Sequence, residues 1–265
     1  MKSRIKQLLL ISFISLLILG STFLLPFGFS AIHEGWSASF WLLVSHSGGT
    51  VGVPLITITF CVLISLHYKG WKRKLLTIGL SLVAFSLVLG VMARFNEFFI
   101  KEKLKVERPN VKYLHKQKGF DMDAFYAYES KEERRRYLAY FLRSNADEMT
   151  FDGEGLHPKV IRHWIHETGY SFPSGHSFNA FLMATLMAYI ILFIYSDFRR
   201  RRFFVLPFIW ATFVALSRVM LGVHSSVDIT CGAAMGALIA LVLVYARPID
   251  KLMMQKTVEW NQRMR

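Results

Sequence analysis

Three short clusters in the 265-residue chain combine residue types that can do chemistry. The first is Lys101-x6-Arg108-Pro109. A spacing of seven is close to two helical turns, so on a continuous helix both cations point the same way. Pro109 is expected to end that helix. Alone, such a pair reads equally as cations that snorkel at a membrane boundary. The second cluster is Pro173-Ser174-Gly175-His176. Ser174 suits an N-cap, Gly175 admits close approach to the backbone, and free amides at a helix start favour a phosphate-like anion. A capped helix start with an incidental histidine is the plainer alternative. The third is Ser217-Arg218-x5-His224-x3-Asp228. Arg218 stands near the end of an apolar run, where a charge costs up to roughly 3 kcal/mol. His224 and Asp228 share a face if a helix begins there. A carboxylate on one imidazole nitrogen fixes the tautomer and leaves the other nitrogen free to react.

Taken together, three cations, two histidines, one carboxylate and a helix N-terminus can converge on one point. Three fixed cations match a phosphate group in charge and in donor geometry. The same cations disfavour a divalent metal, which wants carboxylate or uncrowded imidazole ligands. Zinc held by His176, His224 and Asp228 stays as the competing reading.

Positioning these residues falls to apolar helices. The chain is 53% hydrophobic, which exceeds ordinary soluble domains. A spanning helix needs about 20 mostly apolar residues. Six runs approximate this: 7–26, 50–67, 76–99, 177–196, 203–222 and 228–246. The expected fold is therefore an all-α, integral membrane bundle of six transmembrane helices. A helical extramembrane cap over 101–172 separates the third and fourth helices. The basic start, Lys2, Arg4 and Lys6, resembles a signal peptide, but the apolar stretch is long and no A-x-A site follows. An uncleaved first helix is expected. Cys61 and Cys231 lie in apolar runs and imply no disulfide framework.

Charge sets the orientation, because Lys and Arg are retained in cytoplasmic loops. They crowd the N-terminus, the 67–75 and 197–202 loops and the C-terminal tail from Arg247 to Arg265, and are missing from 27–49 and 223–227. Both termini are thus expected inside and the 101–172 loop outside. The net charge of +14 then reflects loops facing anionic lipid, with no nucleic-acid partner. Within the cap, 129–148 and 158–167 read as helices. The first would lie on the membrane, cover a site, or form a plain solvated cap.

The three clusters, in order and spacing, resemble the motifs of the type 2 phosphatidic acid phosphatase superfamily: K-x6-RP, PSGH and SR-x5-H-x3-D. The segments VERPNVKYL (106–114) and HWIHETGYSFPSGHS (163–177) extend the likeness beyond them. The resemblance implies a metal-independent phosphatase without cofactor. It implies His224 as the nucleophile, Asp228 orienting it, and His176 protonating the leaving group. Lys101, Arg108, Arg218, Ser174 and Gly175 would bind the phosphoryl oxygens. The implied partners are the membrane and a phospholipid or polyprenyl phosphate substrate: phosphatidylglycerophosphate, undecaprenyl pyrophosphate, phosphatidic acid or diacylglycerol pyrophosphate. The implied place is a bacterial inner membrane with the site at its periplasmic face. A lipid phosphotransferase would carry identical motifs. A non-catalytic anion transporter would use the cations but give the histidines no role.

Overall fold

The computed structural model describes residues 2–145, 150–151, 153–195 and 197–246. The basic C-terminal tail from Arg247 and the 146–148 end of the first cap stretch lie outside them. Among the described residues the architecture is all-α apart from one small hairpin, β1 (Thr150–Phe151) with β2 (Glu154–Gly155). Five of the described helices are long and apolar enough to cross a membrane. They are centred on α1 (Lys2–Gly20), α4 (Trp71–Phe95), α10 (Gly175–Ile194), α12 (Leu206–Met220) and α13 (Ser226–Ala246). A sixth crossing is possible only as a bent pair, α2 (Trp36–Ser47) and α3 (Gly52–Ser65), which meet at 62°.

That pair corrects one expectation. The run over 50–67 forms a helix of only 14 residues, about 21 Å at 1.5 Å per residue. This falls short of a hydrocarbon core of about 30 Å. The segment 27–49, expected as a loop, carries the 12-residue helix α2. Two glycines make the bend. A Cβ on Gly48 would lie 2.3 Å from Val214 Cγ1 of α12, so only glycine lets the bend close against that helix.

Helix α10 is the buried axis and packs on α13, α12, α1, α4 and α3. Small residues set the closest approach. Gly232, Gly236 and Ala240 line up every fourth residue along α13. Cβ atoms on Gly232 and Gly236 would lie 2.6 Å from the Ser174 carbonyl and 2.1 Å from the Phe178 carbonyl. Such small-residue stripes let backbones meet where no hydrophobic force between helices exists in lipid. In contrast α4 buries little beyond Phe85 and Leu89. It pairs mainly with α3, leaving space between that pair and α10.

The ends of the bundle differ. At one end, Arg201 Nη2 donates to Gln7 Oε1 (2.8 Å), Arg4 stacks over Phe193, and the His67 ring meets Tyr195. The basic N-terminus and both basic loops therefore share this end. At the other end lies the cap: α6 (Pro109–Lys118), α7 (Met122–Ala127), α8 (Lys131–Ser144) and α9 (Pro158–His166). Local signals explain its helices. Ser130 and Glu133 form a capping box at α8, and Pro158 occupies the first turn of α9 behind the His157 cap. A second apolar core, including Phe120, Phe125, Leu138, Val160 and Trp164, fastens the cap to the bundle. Trp164 Nε1 donates to the Leu221 carbonyl (2.8 Å), which seats α9 on the α12–α13 turn.

If α10 and α13 meet through bare backbone, Gly236→Leu should be severely disruptive. Overpacking of this kind costs about 1–3 kcal/mol or more. A clear fall in melting temperature in detergent is expected, while the exposed Val242→Leu leaves it unchanged; an unaltered Gly236→Leu protein would refute the close contact.

Candidate active site

The three motifs meet where the cap joins the bundle, at the end of α4, the start of α10 and the α12–α13 turn. The route differs from expectation at the first motif. Helix α4 ends at Phe95, and a π-helical turn covers Asn96–Lys101. After a short turn, α5 (Glu102–Leu104), Lys105 takes the left-handed conformation at φ 47°. Lys101 and Arg108 therefore do not share a helix. Pro109 opens α6 at its first position, with extended Arg108 as N-cap. The missing N–H of proline costs nothing there.

Arg108 is buried and held on several sides. Its Nε donates to the Gly169 carbonyl (2.7 Å), and its Nη1 donates to the Val223 carbonyl (3.1 Å). The same Nη1 lies 3.3 Å from His224 Nε2. Arg218 is fully buried at the end of α12. Its Nη1 donates to Ser45 Oγ (2.5 Å) and reaches His163 Nε2 (3.0 Å).

His224 sits just before α13. Its Nδ1 lies 3.5 Å from Asp228 Oδ2. Ser171 bridges the pair: its hydroxyl donates to Asp228 Oδ2 (2.5 Å) and lies 3.2 Å from His224 Nδ1. Asp228 Oδ2 also accepts from the Ser225 amide (2.7 Å). With the serine proton on Asp228, the serine oxygen accepts from Nδ1–H. That tautomer leaves a lone pair on Nε2, the nitrogen that faces Arg108. Burial, then the Arg108 charge, push the His224 imidazole down to about 3 despite Asp228. It is neutral, and so nucleophilic, throughout ordinary pH.

His176 stands in the first turn of α10. A Cβ added to Gly49, at the α2–α3 bend, would lie 3.5 Å from His176 Nε2. The same test at Gly175 meets Asn96 Nδ2 at 3.5 Å and Lys101 Nζ at 3.9 Å, so this backbone faces both side chains. Lys101 Nζ is paired with Glu97 (2.9 Å), which also pairs with Lys131 of α8. Ser174 is placed differently from the other motif residues. Its hydroxyl is buried in the α10 cap with the Ser177 amide (3.4 Å) and hydroxyl (3.1 Å). It faces its own helix, so an anion would find the helix N-terminus there more readily than this side chain.

One residue absent from the sequence expectations holds the centre. Glu167, just beyond α9, bridges both arginines: Oε2 to Arg108 Nη2 at 2.9 Å and Oε1 to Arg218 Nη2 at 2.6 Å. Burial works to raise its carboxyl, but Arg218 and Arg108 outweigh it and hold the group well below the usual range. His163, beside Arg218, is driven down to about 3 by burial and then by that charge, and accepts as a neutral ring. Ser171 and Asn96 were also missed. Lone polar residues between apolar segments carry no spacing signal, and only the fold reveals their partners.

Lys101, Arg108, Glu167, Gly175, His176 and His224 line one cavity of about 580 Å³. Arg218 and Asp228 stand behind Glu167 and His224. Among the described residues, no group of three or more His, Cys, Asp or Glu is placed to hold a metal ion. The zinc set of His176, His224 and Asp228 is therefore not assembled, since Asp228 faces Nδ1 of His224 through Ser171.

The chain is similar to several known proteins. Phosphatidylglycerophosphatase B of Haemophilus influenzae is 27% identical over 237 residues, spanning 83% of this chain and 89% of that protein. Its Escherichia coli K12 namesake is 27% identical over 222 residues, spanning 82% and 79%. The crystal structure of a transmembrane PAP2-type phosphatidylglycerolphosphate phosphatase from Bacillus subtilis aligns over 92% of this chain and 93% of its own, with a TM-score of 0.49 and 18% identity. A family model for the PAP2 superfamily matches residues 74–251, a stretch that holds all three motifs. The chain thus belongs to the PAP2 superfamily, the type 2 phosphatidic acid phosphatases that its motifs resemble.

Proposed function

We propose that this membrane phosphatase hydrolyses the phosphate monoesters and pyrophosphates of lipids through a phosphohistidine on His224, without a metal. The observation that carries the reading is the Glu167 bridge. A carboxylate placed 2.9 and 2.6 Å from two guanidiniums occupies the position that two phosphoryl oxygens would take. The free Nε2 of His224 adjoins it. Arriving substrate exchanges one anion for another.

The chemistry follows from the tautomer. His224 Nε2 attacks phosphorus while the ester or anhydride oxygen leaves. The substrate's negative charge favours a proton on His176, which gives it to that oxygen. The N–P bond leaves the His224 ring cationic, and Ser171 and Asp228 face its Nδ1–H. Water then attacks phosphorus, neutral His176 takes its proton, and the N–P bond breaks to release phosphate. His176 returns to imidazolium and His224 to neutral. Dividing the displacement into two steps lowers each barrier, and Lys101, Arg108, Arg218 and the amides at Gly175 stabilise the developing charge.

The lipid assignment rests on the cavity walls. Val53, Pro54, Leu89, Gly90 and Ala93 of α3 and α4 line its membrane side. A second, mostly apolar cavity of about 470 Å³ continues between the same helices. Acyl or prenyl chains would lie there while the phosphate reaches Arg108. The relatives' name makes phosphatidylglycerophosphate the first substrate to try. Undecaprenyl pyrophosphate, phosphatidic acid and diacylglycerol pyrophosphate follow. The basic loops and N-terminus at the opposite end support cytoplasmic termini and a periplasmic site in a bacterial inner membrane.

Three outcomes are expected. His224→Ala should lower phosphate release from purified protein by at least about a thousandfold; near wild-type turnover would remove the nucleophile. His176→Ala should slow alkyl phosphates by about 10²–10⁴-fold. It should spare the initial p-nitrophenol burst, whose leaving group needs no proton, while slowing the shared second step; an equal loss of the first step on both substrates would deny the acid role. EDTA should leave the rate unchanged, and loss restored by one divalent metal would overturn the metal-free mechanism.

A further inference from the structure

The 580 Å³ cavity has an apolar membrane wall, which suits a lipid but not the second product, a phosphate dianion. Burying such a charge without partners is prohibitively costly. Water must also reach the phosphohistidine. A different opening meets both needs.

A cavity of about 850 Å³ lies between α2 and α9, on the other side of Glu167 and His176. Those two residues, with Gly49, Thr50, Arg135 and His166, line both spaces. Helix α9 is two-faced. Val160, His163 and Trp164 pack inward, while Lys159, Arg162 and His166 are exposed and fall at i, i+3 and i+7 on one side. That side lines the second cavity. Among the described residues, neither Lys159 nor Arg162 has a carboxylate partner. Arg135 adds a third cation at the shared rim; it meets Glu132 at 3.4 Å, and its buried Nε has no partner. The sole carboxylate in the lining is Glu167, already bound to two arginines. Among the described residues, the lining thus carries an excess of positive charge leading away from His176.

We propose that the α2–α9 cavity is a second phosphate-binding site, through which the anion reaches or leaves the reaction centre. Its ligand is a phosphate group in the dianionic range, from one of two sources. It is the inorganic phosphate released from His224, or the distal phosphate of a pyrophosphate lipid. The inference rests on the phosphatase reading above, but its own test reads binding separately from turnover. Lys159 and Arg162 act by binding and need not touch the reacting atoms.

The test uses the full-length protein in detergent with K159Q/R162Q, which spares the packed face of α9. Orthophosphate is titrated calorimetrically, and its product-inhibition constant is measured with a lipid monophosphate. The Kd should weaken by about three- to tenfold, and further in K159E/R162E. If free phosphate is the occupant, the inhibition constant rises in parallel and the pyrophosphate-to-monophosphate ratio of kcat/KM stays fixed. If the distal lipid phosphate is the occupant, that ratio falls by a similar factor. Orthophosphate affinity, inhibition constant and substrate ratio all within twofold of wild type would overturn the proposal. Should the variants not fold, the wild type still decides: orthophosphate binding that does not weaken between 50 and 500 mM salt, beyond the screening length of such a funnel, would overturn it as well. A wild-type protein that binds orthophosphate but hydrolyses no lipid phosphate would instead count against the phosphatase reading alone.

Discussion

Two guanidiniums buried within reach of one carboxylate are the constraint on which the site depends. Arg218 is fully buried and Arg108 nearly so. A buried charge without a counter-charge is strongly destabilising, whereas a paired one is tolerated. Glu167 supplies the counter-charge. Its position follows from α9, α9 is seated by Trp164 on the α12–α13 turn, and that turn carries His224. The anion between the arginines and the imidazole beside them are therefore placed by one chain of contacts. Any ligand that displaces Glu167 must itself be an anion with two acceptor oxygens on one side. Phosphate meets that description and a neutral headgroup does not.

The same logic explains why the bundle is tight on one side and loose on the other. Glycines and alanines of α13 bring backbone to backbone against α10, which fixes Ser174, Gly175 and His176 relative to His224 and Asp228. The Ser174 amide donates directly to the Asp228 carbonyl at 3.0 Å. Helices α3 and α4 meet α10 less closely, and Gly90 of α4 faces open space. Catalytic geometry requires rigidity of the first kind. A bilayer substrate requires an opening of the second kind.

Much of this was legible in the residues and some was not. The apolar runs mark α1, α4, α10, α12 and α13 within a few residues, because lipid demands long stretches of one character. The motif spacing anticipates which side chains gather. Three features escaped. The α2–α3 bend depends on Gly48 fitting against Val214, a contact between distant segments that hydropathy cannot register. Pro109 reads as a helix stop, yet proline is equally suited to a first turn, and the break at Lys105 decides between the two. Glu167 and Ser171 lie in the irregular stretch before Pro173, where periodicity carries no information. Their importance comes from charges and lone pairs brought from α6, α12 and α13.

The position of Glu167 and His176 between two cavities gives the arrangement a direction. On one side Val53, Pro54, Leu89, Gly90 and Ala93 make an apolar wall continuous with the space between α3 and α4. On the other the wall carries Arg135, Lys159 and Arg162. A phosphorylated lipid contains both characters in one molecule, and cleavage separates them. Once the P–O bond breaks, the alcohol is favoured on the apolar side and the phosphate on the cationic side. On the proposed reading, opposed polarity across the reaction centre draws the two products apart.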